Sequence, residues 1–200
     1  MSNLLEYENR YYDLGYDYII GLDEAGRGPL AGPVVVAGVI MPHDSMIEGV
    51  NDSKKVSEKK REKLYDLIIE EALSYSVAII GHDVIDEINI LNATKAGVTQ
   101  VVDGLDLKPD LIIIDALNHI DTRGIPYDPI IKGDAKCYNI AAASILAKVT
   151  RDRIMRQWDE IYPCYGFSAH KGYGTARHIE AIKEYGLCPI HRRTFTKNFI

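Results

Sequence analysis

The chain has 200 residues, with 46% hydrophobic and 26% charged side chains, which fits one soluble globular domain with a sizeable core. No apolar run approaches the roughly 20 residues that a membrane-spanning helix needs, so an integral membrane protein is excluded. The net charge of −6 argues against a uniformly basic nucleic-acid-binding protein.

The first predicted elements are two apolar strands joined by a glycine-rich turn. Residues 18–23 (YIIGLD) form the first strand, and residues 34–41 are almost wholly apolar, which is typical of a buried second strand. Between them, residues 26–33 (GRGPLAGP) combine turn formers with small residues. The short connection permits antiparallel pairing of the two strands.

Helical and extended patterns alternate in the middle of the chain. Residues 52–55 open a helix that continues through apolar residues at helical spacing, and residues 75–80 form a third strand. A second helix is predicted over 88–105. Residues 111–115 (LIIID) form a short apolar strand that ends in a carboxylate, and residues 129–132 form a weaker fifth strand.

The C-terminal third is predicted to be helical. The longest helical pattern covers residues 138–161 and is rich in small alanines, and another helix covers residues 175–185, with Gly186 as its stop. The order of elements predicts an α/β domain in which a central mixed five-stranded sheet is flanked by helices and followed by a small helical part.

Positive charge is concentrated towards the C-terminus. Residues 131–200 hold 12 lysines and arginines against 6 acidic residues, a net charge of +6, whereas residues 1–130 hold 11 against 23, a net charge of −12. A basic face on an acidic body can bind a polyanion, although solvated surface is the simpler alternative. We expect a single domain over residues 1–200, with a core at about 18–160 and a C-terminal helical segment at about 161–200.

Carboxylates follow two of the predicted strands. Asp23 and Glu24 stand where the first strand meets the glycine-rich turn, and Asp115 ends the strand at residues 111–115. Ligand-binding groups gather at strand ends along one edge of an α/β sheet, and neighbouring parallel strands would place Asp23 and Asp115 roughly 5 Å apart. Each carboxylate also has a structural alternative, because acidic residues commonly begin turns.

Asp134 is a fourth candidate, since it stands shortly before the long helix, where a helix N-cap is the alternative. Carboxylates brought together repel each other, and a divalent cation relieves the repulsion. Oxygen ligands without sulfur or paired histidines favour Mg²⁺ or Mn²⁺ over zinc. Two such ions about 4 Å apart can hold a phosphodiester while one activates water and the other stabilises the leaving 3′-oxygen, giving a 5′-phosphate and a 3′-hydroxyl.

Five segments closely resemble the motifs of type 2 ribonuclease H, also called ribonuclease HII. They are residues 23–33 (DEAGRGPLAGP), 51–54 (NDSK), 141–152 (AAASILAKVTRD), 170–175 (HKGYGT) and 191–195 (HRRTF). The matches run in order along almost the whole chain, so the resemblance is specific.

The resemblance implies a ribonuclease H-like fold and a metal-dependent endonuclease. By motif position, Asp23, Glu24, Asp115 and Asp134 would be both the catalytic residues and the ligands of Mn²⁺ or Mg²⁺. The implied substrates are RNA–DNA hybrids and duplex DNA that carries a single ribonucleotide, cut on its 5′ side.

The resemblance also implies substrate contacts. Gly26, Arg27 and Gly28 would read the 2′-hydroxyl through backbone groups, and glycines suit this role because they let the main chain approach a sugar closely. Tyr173 would lie against the following deoxyribose. Lys54 and Arg27 would contact phosphates, which adds salt-dependent affinity without sequence information.

We expect a monomer that acts on nucleic acid without membrane association, and the acidic N-terminus predicts a cytoplasmic protein. Three alternatives remain. A type 3 ribonuclease H should have a long N-terminal region, whereas about 17 residues precede the first strand. A non-catalytic hybrid-binding module would not need the carboxylates. The glycines at 26, 28 and 32 weakly suggest a nucleotide-binding enzyme, but they lead into a strand instead of a helix.

Overall fold

A five-stranded sheet forms the centre of the computed structural model, which describes residues 4–51, 53 and 56–199. The strands are β1 (Ile19–Ala25), β2 (Val34–Ile40), β3 (Ser74–Ile80), β4 (Leu111–Asp115) and β5 (Tyr127–Ile130). Their order across the sheet is β3-β2-β1-β4-β5. The β1–β2 and β2–β3 pairs are antiparallel and the β1–β4 and β4–β5 pairs are parallel, so the predicted mixed sheet is confirmed.

Helices cover both faces of the sheet and form the C-terminal part. They are α1 (Glu6–Asp13), α2 (Glu58–Glu71), α3 (His82–Asp103), α4 (Tyr138–Ile161), α5 (Phe167–His170), α6 (Ala176–Tyr185) and α7 (Arg193–Thr196). The bounds of β4 and α4 agree with the prediction. The predicted helix start at residues 52–55 falls partly outside the described residues, and α2 begins at Glu58.

Besides the later start of α2, helices α1 and α3 differ from the prediction, and the short helices α5 and α7 were not predicted. Helix α1 was not predicted, and it is held by the buried carboxylate of Glu8, which accepts a hydrogen bond from the backbone N–H of Asn139 (2.9 Å). Helix α3 begins at His82 instead of residue 88, because a break at Asn89, where φ is 65°, interrupts the helical periodicity of the sequence.

Strand β2 lies between two helical layers. Val35 and Val39 point into the core shared with α2 and α4, whereas Val36 and Ile40 point into the core shared with α3. A strand that is buried on both faces reads as a continuous apolar run, as this one does. In β1, Gly21 brings the sheet directly against α4, because a Cβ there would lie 2.2 Å from the carbonyl carbon of Asn139.

The small C-terminal helices pack on the glycine-rich loop between β1 and β2. Leu30 from this loop and Met155 from α4 share a buried cluster with Phe167, Ile182 and Ile190. The C-terminal part is therefore helical, as predicted. Of the helices that the structure describes, none has both the length and the apolar content needed to cross a bilayer.

Candidate active site

The ends of β1 and β4 place Asp23 and Asp115 side by side. The two strands are parallel neighbours in which Leu22 pairs with Ile114, and the two aspartates are the next residues along each strand. Because adjacent strands lie about 4.8 Å apart, the expected proximity of Asp23 and Asp115 is confirmed. Burial, followed by the charges of Glu24 and Asp115, raises the pKa of Asp23 well above its usual value.

Ser144 of α4 and Ser53 support the Asp23 carboxylate. Asp23 is only 7% exposed, and its Oδ1 accepts a hydrogen bond from the backbone N–H of Glu24 (2.8 Å). A second hydrogen bond comes from the Ser144 side chain, and it opposes the effect of burial on the pKa of Asp23. Ser144 Oγ lies 2.7 Å from Ser53 Oγ, so the three side chains form one connected group.

A tight turn places Asp134 next to Asp115. Gly133 donates its backbone N–H to Asp115 Oδ1 (2.9 Å), and Asp134 follows it within a short 3₁₀ turn. The chain enters this turn through Lys132, which has a left-handed φ of 58°. Asp134 is buried and α4 begins only at Tyr138, so Asp134 is not the N-cap of that helix, which was its structural alternative.

A cavity of about 240 Å³ opens beside Asp23. The predicted site residues that line it are Asp23, Glu24, Gly26, Arg27, Gly28 and Tyr173. Ser53, Ser144 and Lys148 add further polar groups to its wall. Asp115 and Asp134 do not line the cavity. Asp115 adjoins Asp23 on the neighbouring strand, and Asp134 lies in the turn that contacts Asp115. The predicted phosphate contact Lys54 lies outside the described residues.

Arg192 fixes the glycine-rich loop that follows β1. Its fully buried guanidinium donates hydrogen bonds to the carbonyl oxygens of Gly26 (2.6 Å), Arg27 (2.9 Å) and Gly32 (2.9 Å). Gly26 has a φ of 100°, and a Cβ there would lie 2.0 Å from Arg151 Nε, so this position requires glycine. Burial lowers the pKa of Arg192 to about 9, which still leaves it charged at neutral pH.

Arg151 joins the same loop to the segment that carries Tyr173. Its buried guanidinium donates hydrogen bonds to the carbonyl oxygens of Ala31 (3.1 Å), Pro33 (2.9 Å) and Lys171 (2.9 Å). It also lies 5.9 Å from the centre of the Tyr173 ring. Two separate parts of the chain are therefore held in a fixed relation at the cavity.

Tyr173 and Arg27 are exposed members of the cavity wall. The Tyr173 side chain is 44% exposed, and a Cβ added to Gly28 would lie 3.7 Å from its Cε1. Arg27 Nη1 lies 3.4 Å from Glu24 Oε1 in an ion pair that remains open to solvent and therefore contributes little stability. A ligand at the mouth of the cavity can reach both side chains.

The donor atoms at the site are all oxygens. Asp23, Glu24 and Asp115 contribute carboxylates, and Asp134 adjoins them, which suits Mg²⁺ or Mn²⁺ better than zinc. Among the described residues, no three histidine, cysteine or acidic side chains converge closely enough to hold a metal ion as they stand. The negative charges of Glu24 and Asp115 contribute to the raised pKa of Asp23, and a bound cation would compensate this charge.

Sequence reasoning missed the place of Ser144 and Lys148 at the cavity. From the sequence alone, their position inside an alanine-rich helix favours a packing role. The structure places both in the cavity wall, where Lys148 Nζ also pairs with Asp152 Oδ1 (2.5 Å). Their i, i+4 spacing could have indicated a shared role, because it puts two polar groups on one face of an otherwise alanine-rich helix.

Comparison with known proteins identifies the family. The chain matches the family model for ribonuclease HII over residues 20–198. It is 59% identical to the ribonuclease HII of Acetivibrio thermocellus, over 97% of this chain and 75% of that protein. It is 51% identical to the ribonuclease HII of Caldicellulosiruptor saccharolyticus, over 100% of this chain and 97% of that protein.

Solved structures support the same assignment. The ribonuclease H2 of Pyrococcus horikoshii gives a TM-score of 0.78 at 29% identity, covering 91% of this chain and 96% of that one. The ribonuclease HII of Archaeoglobus fulgidus, solved in a complex with PCNA, gives a TM-score of 0.75 at 30% identity, covering 90% and 96%. The expected ribonuclease H-like fold is thus confirmed. The chain belongs to the ribonuclease HII family and is a ribonuclease H endonuclease.

Proposed function

We propose that the protein cuts the RNA strand of RNA–DNA hybrids and also incises duplex DNA on the 5′ side of a single embedded ribonucleotide. The observation that carries the proposal is the position of Asp23. Its carboxylate stands beside Asp115 and lines a cavity whose wall also contains Gly28 and Tyr173. Groups suited to phosphodiester chemistry are therefore next to groups suited to inspecting a sugar.

The four acidic residues would hold Mg²⁺ or Mn²⁺; they are Asp23, Glu24, Asp115 and Asp134. The raised pKa of Asp23 reflects, besides burial, a concentration of negative charge that bound cations would relieve. Two such ions would supply an activated water and stabilise the leaving 3′-oxygen, giving a 5′-phosphate and a 3′-hydroxyl. The protein itself would orient the carboxylates, as the Gly133 N–H does for Asp115.

The loop at Gly26, Arg27 and Gly28 would recognise the ribonucleotide by its 2′-hydroxyl. Arg192 already engages the carbonyl oxygens of Gly26 and Arg27, which favours the backbone N–H groups of the loop and the Gly28 carbonyl as the readers. Gly28 has no side chain to keep a sugar away from the main chain. The 2′-hydroxyl is the group that distinguishes RNA from DNA at a given position.

Tyr173 would lie against the deoxyribose that follows the ribonucleotide, where an additional hydroxyl would interfere with the contact. Its exposed ring at the cavity, close to Gly28, supports this role. Arg27 and Lys54 would contact phosphates, and Arg27 can do so because its ion pair with Glu24 is weak. Inspection of both sugars at one junction would make the enzyme selective for that junction.

The C-terminal segment, about residues 161–200, would serve substrate binding within a single domain. Tyr173 comes from this segment, and Arg192 from the same segment supports the glycine-rich loop. Because one chain supplies all the proposed contacts, we further propose that a monomer is sufficient for activity.

The test is a DNA duplex that contains one ribonucleotide, incubated with Mg²⁺ or Mn²⁺, with the cut mapped on a 5′-labelled strand. We expect one cut on the 5′ side of the ribonucleotide. Asp115→Asn should abolish cutting while hybrid binding persists, and Asp13→Asn, at an exposed position on α1, should cut like the wild type. No incision with either metal would contradict the proposal and favour a non-catalytic hybrid-binding module.

A further inference from the structure

Within the C-terminal segment, two buried histidines form a hydrogen-bonded pair that reaches the backbone of Tyr173. His178 of α6 and His191, which precedes α7, are 0% and 2% exposed, and their Nε2 atoms lie 3.1 Å apart. At the other side of its ring, His178 Nδ1 lies 2.9 Å from the carbonyl oxygen of Tyr173. The catalytic chemistry proposed above does not use either imidazole.

The hydrogen bonds allow only one arrangement of protons in this pair. The Tyr173 carbonyl oxygen can only accept, so His178 Nδ1 must carry a hydrogen. In a neutral imidazole the other nitrogen then accepts, so His178 Nε2 accepts from His191 Nε2–H. His191 Nδ1 must in turn accept a hydrogen bond.

The environment of His191 satisfies that requirement. The backbone N–H of Cys188 donates to His191 Nδ1 (3.0 Å), and the Cys188 thiol lies 3.1 Å from the same atom. The Cys188 carbonyl oxygen is also near Nδ1 (3.2 Å), but it already accepts from the backbone N–H of His191 (3.1 Å). The chain of donors therefore runs from Cys188 through both rings to Tyr173.

The surroundings keep both rings neutral. Tyr165 and Phe167 pack against them at ring-centre distances between 5.0 and 6.5 Å, and His170 stacks on His178 at 4.5 Å. Burial, together with the charge of His170, lowers the pKa of both His178 and His191 to about 4. An imidazolium at either position would also direct one N–H at another N–H.

From this geometry we infer that His178 and His191 are positioning residues, which hold the Tyr173 backbone and so fix its ring against the sugar that follows the cut. The inference rests on the role proposed for Tyr173. Tyr173 lies between Gly172, with a φ of 83°, and Gly174, and its backbone is also held by hydrogen bonds from its N–H to the His170 carbonyl (2.9 Å) and from the Thr175 N–H to its carbonyl (2.8 Å). The bond from His178 adds the side-chain contact to this turn. A residue between two glycines gains much conformational freedom when a backbone hydrogen bond is lost.

The measured quantity is junction selectivity, defined as the cutting rate at a single ribonucleotide in DNA divided by the rate within an all-RNA strand of a hybrid. His178→Asn retains an N–H donor near the position of Nδ1, whereas His178→Leu retains only apolar bulk. We expect His178→Leu to lose about fivefold to tenfold in selectivity, the effect of one hydrogen bond, and His178→Asn to recover most of it. His119→Asn, on an exposed loop, is the matched control and should behave like the wild type.

A second measurement reads the imidazoles directly. Two-dimensional ¹H–¹⁵N NMR at pH 7 should show the Nδ1–H form for His178 and the Nε2–H form for His191. The opposite forms, or a charged ring, would overturn the inference whatever the activity. Rescue by His178→Asn separates positioning from simple loss of packing, because Asn restores the donor but leaves most of the ring volume unfilled.

Tyr173→Ala separates this inference from the proposed function. If Tyr173→Ala loses selectivity while both His178 variants keep it, the histidine pair does not position Tyr173 and only the inference fails. If Tyr173→Ala keeps selectivity, the role proposed for Tyr173 fails, and the inference fails with it.

Discussion

Arg192 and Gly26 are 166 positions apart in the sequence, yet Arg192 Nη2 donates a 2.6 Å hydrogen bond to the Gly26 carbonyl oxygen. Two further hydrogen bonds from the same guanidinium reach Arg27 and Gly32. The loop that borders the cavity therefore takes its shape from the far end of the chain. Substitution of Arg192 should consequently lower both the stability of the protein and its recognition of the ribonucleotide.

Arg192→Met tests this support directly. The substitution keeps similar bulk but leaves three backbone carbonyls without their donor, and we expect the free energy of unfolding to fall by about 2–4 kcal/mol. Urea unfolding measures the change. Arg193→Met is the matched control, because the Arg193 side chain is exposed, and it should remain within about 0.5 kcal/mol of the wild type. Equal stability of the two variants would contradict the structural role of Arg192.

Asp23→Asn should stabilise the protein in the absence of divalent metal. The pKa of Asp23 is raised in the folded state, so the stability that this group contributes is present at low pH and is lost as the pH rises past its unfolded value of 3.8. At pH 7 the asparagine removes that cost, and we expect a gain of about 1 kcal/mol, or about 2–4 °C in melting temperature.

The same variant should lose the stabilisation that Mg²⁺ or Mn²⁺ gives to the wild type, because one of the proposed ligands is gone. Thermal melting with and without metal measures both effects. Asp13→Asn, at an exposed position, should show neither. A lower melting temperature for metal-free Asp23→Asn would mean that charge repulsion is not the dominant effect at this position.

Ser144→Ala should shift the pH dependence of cutting. The Ser144 hydrogen bond lowers the pKa of Asp23, so its removal raises that pKa further and keeps the carboxyl protonated to higher pH. We expect the acid limb of the pH–rate profile to move to higher pH, with a lower kcat in mild acid. Ser168→Ala, at an exposed position on α5, should leave the profile unchanged.

Gly26→Ala and Gly28→Ala should behave differently although the two glycines are two residues apart. A Cβ at Gly26 would collide with Arg151 Nε at 2.0 Å on a backbone with a φ of 100°, so we expect a loss of at least about 2 kcal/mol in stability. At Gly28 the nearest described atom would be Tyr173 Cε1 at 3.7 Å, so the protein should keep its melting temperature.

Cutting at a single ribonucleotide should nevertheless fall about tenfold or more in Gly28→Ala, because the methyl group keeps the sugar away from the main chain. Melting curves and single-turnover rates measured on both variants distinguish the two effects. A destabilised Gly28→Ala, or a fully active one, would show that this loop does not approach the sugar as proposed.

Stability should decrease in mild acid because of the buried histidines. The pKa values of His178 and His191 fall from 6.5 to about 4 on folding, chiefly because burial penalises the charged ring. Their contribution to stability is therefore present above about pH 6.5 and is lost as the pH falls towards 4.

His191→Gln removes one of these two titrating groups. We expect its free energy of unfolding to depend less steeply on pH between 6.5 and 4, by about one proton, than that of the wild type. Urea unfolding at several pH values measures the slope. An unchanged slope in His191→Gln would mean that His191 is not held neutral by the fold.

Local sequence patterns predicted the elements that position Asp23 and Asp115. Strand β4 is a short apolar run, and α4 has continuous helical periodicity, so the bounds of both were predictable. Helix α1 was missed because its buried side chains include the polar Glu8, whose partner Asn139 is distant in the sequence.

The supports of the site were not predictable from local patterns. Charge normally places an arginine at the surface, and nothing near Arg151 or Arg192 in the sequence indicates that backbone carbonyls would surround them. The histidine pair was not predictable for the same reason, because His178 and His191 come into contact only when α6 and the following loop pack together. Contacts between distant parts of the sequence determine where these side chains lie, whereas sequence periodicity predicts only local secondary structure.

The six hydrogen bonds from Arg151 and Arg192 all end on uncharged backbone oxygens. Added electrolyte weakens exposed ion pairs and displaces a polyanion from basic side chains, but it has little effect on buried bonds of this kind. The glycine-rich loop between β1 and β2 should thus keep its conformation across a wide range of ionic strength. A salt titration of hybrid affinity would then count the phosphates that the protein neutralises, without a contribution from loosening of the loop itself.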